Sequence, residues 1–430
     1  MNRPHSRRSF LLGLTAGAGL LPRQLAGAQG NSYPATDGSF PPVPDRGAAD
    51  DEAYWELVRG SFSFSEDHVP MNAANLCPST RAVAERVFEL TLDIDQDCSF
   101  NNRRKFNALR EESRTLVAAQ LRVSAEEIAL VRNTSEANNT INNGIALGTG
   151  DEVVIWDQNH PTNNVAWDVR AARFGAVIRR VAVPDSPGTA DDLIGPFVDA
   201  LSDRTRVLSL THVSNVSGIR LPVKRLIAEA HTRDIHVHLD GAQSWGALDV
   251  NLDDLGCDSY SASSHKWFMG PKEVGVLYVK QDRIPHIWPS GVAPGWGSGA
   301  ETTLEGARKF ESLGQRDDAA LAGLATAARF HEQIGQQERE DRILSLAKAL
   351  KTGLSEQGFE MVTPMDPALS GGVCIARVAG DRSALLNGLY EEHGIAGAGT
   401  GGLRLCPHVY NTMAHVQRAV HGVAALTAGS

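Results

Sequence analysis

His238-Leu-Asp-Gly-Ala-Gln-Ser-Trp-Gly-Ala247 and Ser261-Ala-Ser-Ser-His-Lys-Trp-Phe-Met-Gly-Pro-Lys272 are the stretches that decide how the rest of the chain is read. In the first, Asp240 closes an apolar run that begins at Ile235. In the second, Lys266 follows a run that begins at Ser259, 26 residues after the aspartate. One strand–helix–strand step separates the two groups. In parallel α/β sheets, side chains at the carboxyl ends of strands converge on a crevice that holds the ligand. A lysine in such a crevice loses charge by desolvation and becomes a nucleophile towards an aldehyde. An aspartate beside it suits a ring nitrogen that must stay protonated to draw in electrons.

Outward from this pair, short apolar runs alternate with amphipathic stretches. Strands are expected at 127–131, 152–156, 176–183, 206–212, 235–240, 259–262 and 274–279. Helices are expected at 135–147, 191–201 and 223–233. Val, Ile and Leu-rich strands alternating with helices predict an α/β fold, with a mainly parallel seven-stranded sheet covered on both faces. A Gly/Pro/Trp-rich stretch at 288–299 reads as a loop or domain boundary. Beyond it, helices at 319–334, 338–357 and 414–426 and a strand near 372–378 predict a smaller α+β unit. The expected division is a large domain over 70–290 and a small one over 291–430, preceded by an N-terminal arm at 29–69. Its first part, 29–50, is rich in Pro and Gly and reads as extended.

The first residues speak to compartment. Ser6-Arg7-Arg8-Ser9-Phe10-Leu11 sets two arginines ahead of an apolar run too short to span a bilayer, and Ala26-Gly27-Ala28 supplies small residues for cleavage. This reads as a twin-arginine (Tat) signal peptide over 1–28, which predicts passage through the Tat translocon to the periplasm. The leader holds Arg3, Arg7, Arg8 and Arg23 and no acid. Of 41 Lys plus Arg, 37 remain against 51 Asp plus Glu, a net charge of −14. Such an acidic chain is not built for nucleic acid or for anionic lipid. The five cysteines, 77, 98, 257, 374 and 406, form no C-x-x-C pair and read as free thiols rather than a disulfide framework. His236 and His238 share a strand face but lack a third ligand, so no metal is assigned. Trp167, Trp245 and Trp267 read as core or interface aromatics.

With these residues in place, the chain from about 70 to 412 resembles the class V aminotransferase family, of pyridoxal-phosphate (PLP) fold type I. The family includes cysteine desulfurases, kynureninases and isopenicillin N epimerase-like enzymes. The resemblance implies PLP as cofactor, Lys266 as its Schiff-base lysine and Asp240 as the partner of its ring nitrogen. It implies phosphate contacts from Ser263 and His265 of the S-x-H-K motif, and from Thr134 and Ser135 of Asn133-Thr-Ser-Glu-Ala-Asn138. A helix starting there would add its free N–H groups and its dipole. His160 matches a histidine stacked over the ring, and Gln243 and Asn215 match groups at the phenolic oxygen. Leu403-Arg-Leu-Cys-Pro-His-Val-Tyr-Asn-Thr412 resembles a signature whose arginine, here Arg404, grips a substrate α-carboxylate. Asn72 and Asn75 read as lining the entrance. Gln315, in Gly314-Gln-Arg-Asp317, stands where relatives carry a threonine that reaches the phosphate in the neighbouring subunit, which implies a homodimer.

Desulfurases of one branch carry a cysteine just before the carboxylate-binding arginine. Here that stretch is Gly394-Ile-Ala-Gly-Ala-Gly-Thr-Gly-Gly402, so sulfur transfer is disfavoured. Aminotransfer remains open beside epimerisation or racemisation and lyase chemistry on a small amino acid, while the intact Asp240, His265 and Lys266 set argues against a PLP-fold binding protein without catalysis. The exported leader joined to a class V core is similar to the periplasmic enzymes that tailor pyoverdine siderophores at a chromophore-linked glutamate. That implies an amino-acid or siderophore-peptide substrate.

Overall fold

The computed structural model describes residues 51–292 and 306–427. The expected signal peptide, the stretch at 29–50 and part of the expected boundary loop at 288–299 lie outside the described residues. A two-residue strand, β1 (Val69–Pro70), comes first in the chain. The main sheet follows, formed by β2 (Ile128–Val131), β3 (Glu152–Trp156), β4 (Val177–Val181), β5 (Thr205–Thr211), β6 (His236–Asp240), β7 (Ser259–Ser263) and β8 (Gly275–Val279). Its order is β2-β8-β7-β6-β5-β3-β4. All neighbours are parallel except the two pairs made by β8, which runs against both β7 and β2. The expected seven-stranded, mainly parallel sheet is therefore present. β3, β7 and β8 are buried along their whole length, as a sheet covered on both faces requires.

Six strands run the same way, so the chain leaves each of them at one edge. The segments that follow β2, β3, β5 and β7 carry Thr134, His160, Asn215 and Lys266, and Asp240 is the last residue of β6. Convergence of these distant residues is thus a consequence of the parallel topology.

The C-terminal part holds helices Asp318–Ile334, Gln336–Glu356, Arg382–His393 and Met413–Thr427. Beside them lie β9 (Cys374–Ala376), β10 (Ile395–Ala396) and β11 (Leu403–Leu405). β11 pairs antiparallel with β9. A separate apolar core joins Leu346, Leu350, Leu389, Leu403, Val416 and Val423 to Val69 and Met71. Here the structure sharpens the expected arm at 29–69. Glu52–Arg59 is a helix capped by the Asp51 carboxylate, and β1 pairs in parallel with β10. Glu52 bonds Arg342 and the Met413 N–H, while Glu66 bonds His415. Residues 52–71 thus complete the C-terminal layer, through pairings about 290 residues or more apart in sequence.

All five cysteines are free, four of them buried and Cys98 exposed. Among the described residues, no helix is long and apolar enough to cross a membrane.

Candidate active site

The turn after β2 begins helix Thr134–Gly144, with Asn133 as its N-cap. The Thr134 N–H donates to Ser263 Oγ at 2.7 Å, and the two hydroxyls lie 2.6 Å apart. The approach is close because Gly275 of β8 has no side chain: a Cβ there would sit 2.9 Å from the Asn133 Cα. Two hydroxyls and a helix N-terminus in one buried corner form a donor set for a dianion. Ser135 is more exposed and lies 3.5 Å from Thr162 Oγ1.

Asp240 is 1% exposed at the end of β6. Its Oδ1 accepts the Ala242 N–H at 2.9 Å and its Oδ2 accepts from Asn138 at 2.8 Å. Beyond β7, Lys266 is partly buried, and among the described residues its amine has no hydrogen bond or ion pair. Desolvation lowers its pKa, with Asp240 opposing and Arg404 adding to the shift. His160 Nδ1 accepts the Thr162 N–H and caps helix Pro161–Phe174, which leaves Nε2 free of protein partners. Burial, and then the charge of Lys266, lower its pKa. Burial likewise pushes His265 down to about 4, and its Nδ1 is buried without a partner.

Arg404 sits on β11, 4% exposed. It donates to the Asn215 carbonyl and to Asn72 Oδ1, each at 3.1 Å, and its Nε is buried without a partner. Asn72 rather than Asn75 makes this contact; Asn75 is exposed, and its N–H closes a turn onto the Asn72 carbonyl. Gln243 is spanned by protein groups. Its Nε2 donates to the Ala74 carbonyl at 3.0 Å, and its Oε1 accepts from Trp267 at 2.7 Å. One Nε2 proton is left for another partner. Gln315 is exposed, accepts from Arg103 and donates to the Arg316 carbonyl.

The structure therefore gathers Thr134, Ser263, Asp240, Lys266, His160, Asn215 and Arg404 about one edge of the sheet and leaves Gln315 on the surface. It also adds residues the sequence reading passed over. His331 and His408 reach from the C-terminal part to the Phe268 and Trp267 carbonyls, each at 2.8 Å, and clamp the turn that follows Lys266. A carbonyl only accepts, so both rings donate. His236 Nε2 and His238 Nδ1 both meet Ser259 Oγ, and His238 Nε2 meets Asn138 Oδ1. A polar residue facing inward from a helix was the only sequence signal for Asn138.

The orphaned His265 nitrogen, the paired hydroxyls at a helix N-terminus, the unpartnered amine and the buried carboxylate fit a phosphorylated pyridine aldehyde. A family model described as Aminotransferase class-V matches residues 99–421. The chain belongs to the class-V aminotransferase family. Members of this family are PLP-dependent enzymes. The chain is 28% identical to isopenicillin N epimerase of Streptomyces clavuligerus over 393 residues, covering 87% of this chain and 99% of that protein. It is 33% identical to a cysteine desulfurase of Klebsiella pneumoniae over 240 residues, 54% of this chain and 57% of that protein. Among solved structures, C-DES with glycine covalently linked to its PLP cofactor superposes with a TM-score of 0.78 at 24% identity, over 85% of this chain and 98% of that one. The apo cysteine desulfurase of Thermococcus onnurineus gives 0.78 at 23% identity, over 87% and 98%. At these identities the structural likeness establishes the fold, PLP fold type I.

Proposed function

We propose that this chain is a PLP-dependent aminotransferase-like enzyme acting on a substrate with a free α-amino group and an α-carboxylate. The observation that carries this reading is the unpartnered Lys266 amine, set between the charges of Asp240 and Arg404. PLP supplies an aldehyde that condenses with amines and a pyridine ring that stores the electron pair released at the substrate α-carbon. With the cofactor bound, Lys266 would hold its aldehyde carbon, and the lysine amine would move a proton at the substrate α-carbon as base and then acid. Its depressed pKa keeps a neutral fraction available for both tasks. Asp240 would pair with the ring nitrogen and His160 would pack against the ring. Thr134, Ser135, Ser263 and His265 hold the phosphate. Asn215 and the remaining Gln243 proton address the phenolic oxygen. Arg404, steadied by Asn72 and the Asn215 carbonyl, grips the α-carboxylate, with Asn75 at the entrance. In the homodimer, Gln315 reaches the phosphate of the neighbouring subunit.

The twin-arginine leader supports export of the folded enzyme to the periplasm. There the substrate we propose is the glutamate of a pyoverdine-type siderophore precursor. A second reading, epimerisation, is favoured by the similarity to isopenicillin N epimerase across most of both chains. Sulfur transfer is not favoured: burial pushes the thiol pKa of Cys374 and of Cys406 up, and loop 394–402 holds no cysteine. Incubation with siderophore precursors, read by mass and by chiral analysis, separates the readings. Replacement of the amino group by a keto group supports aminotransfer. An unchanged mass with an inverted centre rejects it in favour of epimerisation.

A further inference from the structure

One face of the central strands is polar where a buried sheet is ordinarily apolar. On β6 it presents His236, His238 and Asp240, and on β7 it presents Ser259, Ser261 and Ser263. These residues alternate along their strands, so they share a face, and His238 stands opposite Ser259 as Asp240 stands opposite Ser261. Helix Thr134–Gly144 lies over this face. Asn138, fully buried, is four residues after Thr134 and on the same side of the helix.

Hydrogen-bond inventory fixes the direction of every proton. The carboxylate of Asp240 accepts, so Asn138 turns Nδ2 towards it, at 2.8 Å. Asn138 Oδ1 then faces His238 Nε2 at 2.9 Å and the Ser261 hydroxyl, and both must donate to it. Burial pushes His238 down to about 3, so the ring is neutral and its Nδ1 accepts from Ser259 Oγ at 2.9 Å. Ser259 Oγ in turn accepts from His236 Nε2 at 3.0 Å. The relay His236–Ser259–His238–Asn138 thus runs one way, with each proton pointing towards Asp240. No part of the proposed reaction uses it.

We propose that Asn138 is a positioning residue that acts through Asp240: the relay locks the carboxylate in the rotamer that meets a protonated ring nitrogen, and the helix sets the spacing between that carboxylate and the Thr134 end that holds the phosphate. This inference rests on the reading of Asp240 given above. One rigid element then gauges both ends of the cofactor. Asp240 Oδ2 is held by the relay and Oδ1 by the Ala242 N–H, so the carboxylate cannot swivel without breaking a buried hydrogen bond.

The test is equilibrium binding to the apo protein of pyridoxal phosphate and of its deaza analogue, in which carbon replaces the ring nitrogen. Wild type is expected to favour pyridoxal phosphate by about tenfold or more, the worth of one charge-assisted hydrogen bond. Asn138→Ala should cut this preference at least about fivefold while changing affinity for the deaza analogue less than about twofold. Equal loss for both ligands marks a structural role only and overturns the inference, as does an undiminished preference. Should Asn138→Ala not fold, Ser261→Ala removes one donor to Asn138 and is read in the same way. A wild type with no preference removes the Asp240 reading and this inference together, whereas a preference that survives the substitutions removes this inference alone.

Discussion

Gly246→Ala is expected to damage the cofactor site without touching any residue that binds cofactor. Gly246 has φ +85°, and a Cβ added there would lie 2.5 Å from the carbonyl carbon and oxygen of Trp267 and 2.6 Å from the Phe268 nitrogen. The left-handed backbone costs an L-residue about 1–2 kcal/mol. The obstructing atoms are backbone, and they belong to the turn carrying Lys266, which His331 and His408 clamp from outside. Forcing that turn aside adds about 1–3 kcal/mol, as overpacking of a filled core does. Gly256→Ala is the matched control: its φ is +75° and nothing lies within 4 Å of the added carbon. It meets the backbone penalty alone, and any gain from a stiffer unfolded chain is common to both. Denaturant unfolding should therefore place Gly246→Ala about 1–3 kcal/mol below Gly256→Ala. Only Gly246→Ala should also lose bound pyridoxal phosphate, read from visible absorbance. If the two variants unfold within about 0.5 kcal/mol of each other, and both keep their cofactor, the packing of Gly246 under the lysine turn is wrong.

Three further outcomes follow from the site and its surroundings. Thr134→Val with Ser263→Ala should weaken pyridoxal phosphate far more than pyridoxal, since the lost hydroxyls face the phosphate; equal weakening of both ligands would relocate the phosphate. Desolvation depresses the Lys266 pKa, so the rate of cofactor capture by the apo protein should rise with pH and level off below the ordinary lysine value of 10.5; a rate still climbing there would contradict the depression. His212, His238 and His408 are held neutral, with burial pushing each down to about 3, while the unfolded chain binds their protons near the ordinary histidine value of 6.5. Stability present above that value should thus be lost as pH falls towards 3, by about 2 kcal/mol per histidine at pH 5. Denaturant midpoints at pH 7 and pH 5 check this, and equal midpoints would refute it.

What the sequence disclosed depended on how local each signal was. All seven sheet strands were legible, β2, β3, β5 and β8 as mainly apolar runs bounded by polar turns, and β4, β6 and β7 as short runs that mix apolar and polar residues. Asp240 and Lys266 were legible because each closes such a run. Residues 52–69 read as part of an arm because their partners, Arg342, Ile395 and His415, lie about 290 residues or more away. Helix Thr134–Gly144 looks polar along its length, and only the structure shows that Asn138 and Asn142 are wholly buried under it. Gln243 was assigned to the cofactor alone, but its contacts with Ala74 and Trp267 tie it to the protein as well. His236 and His238, two residues apart on one strand, raised the question of a metal; the structure shows both bonded to Ser259 of the neighbouring strand and His238 also to Asn138.

The central claim is that Lys266 binds pyridoxal phosphate covalently. Its most direct test is the visible absorption spectrum of purified wild type and Lys266→Ala, each supplied with the cofactor in excess and then freed of the unbound fraction. The account predicts a visible band in wild type that is absent from the variant, while both keep the same far-ultraviolet circular dichroism. A colourless wild type, or a band that survives in Lys266→Ala unchanged, would contradict it.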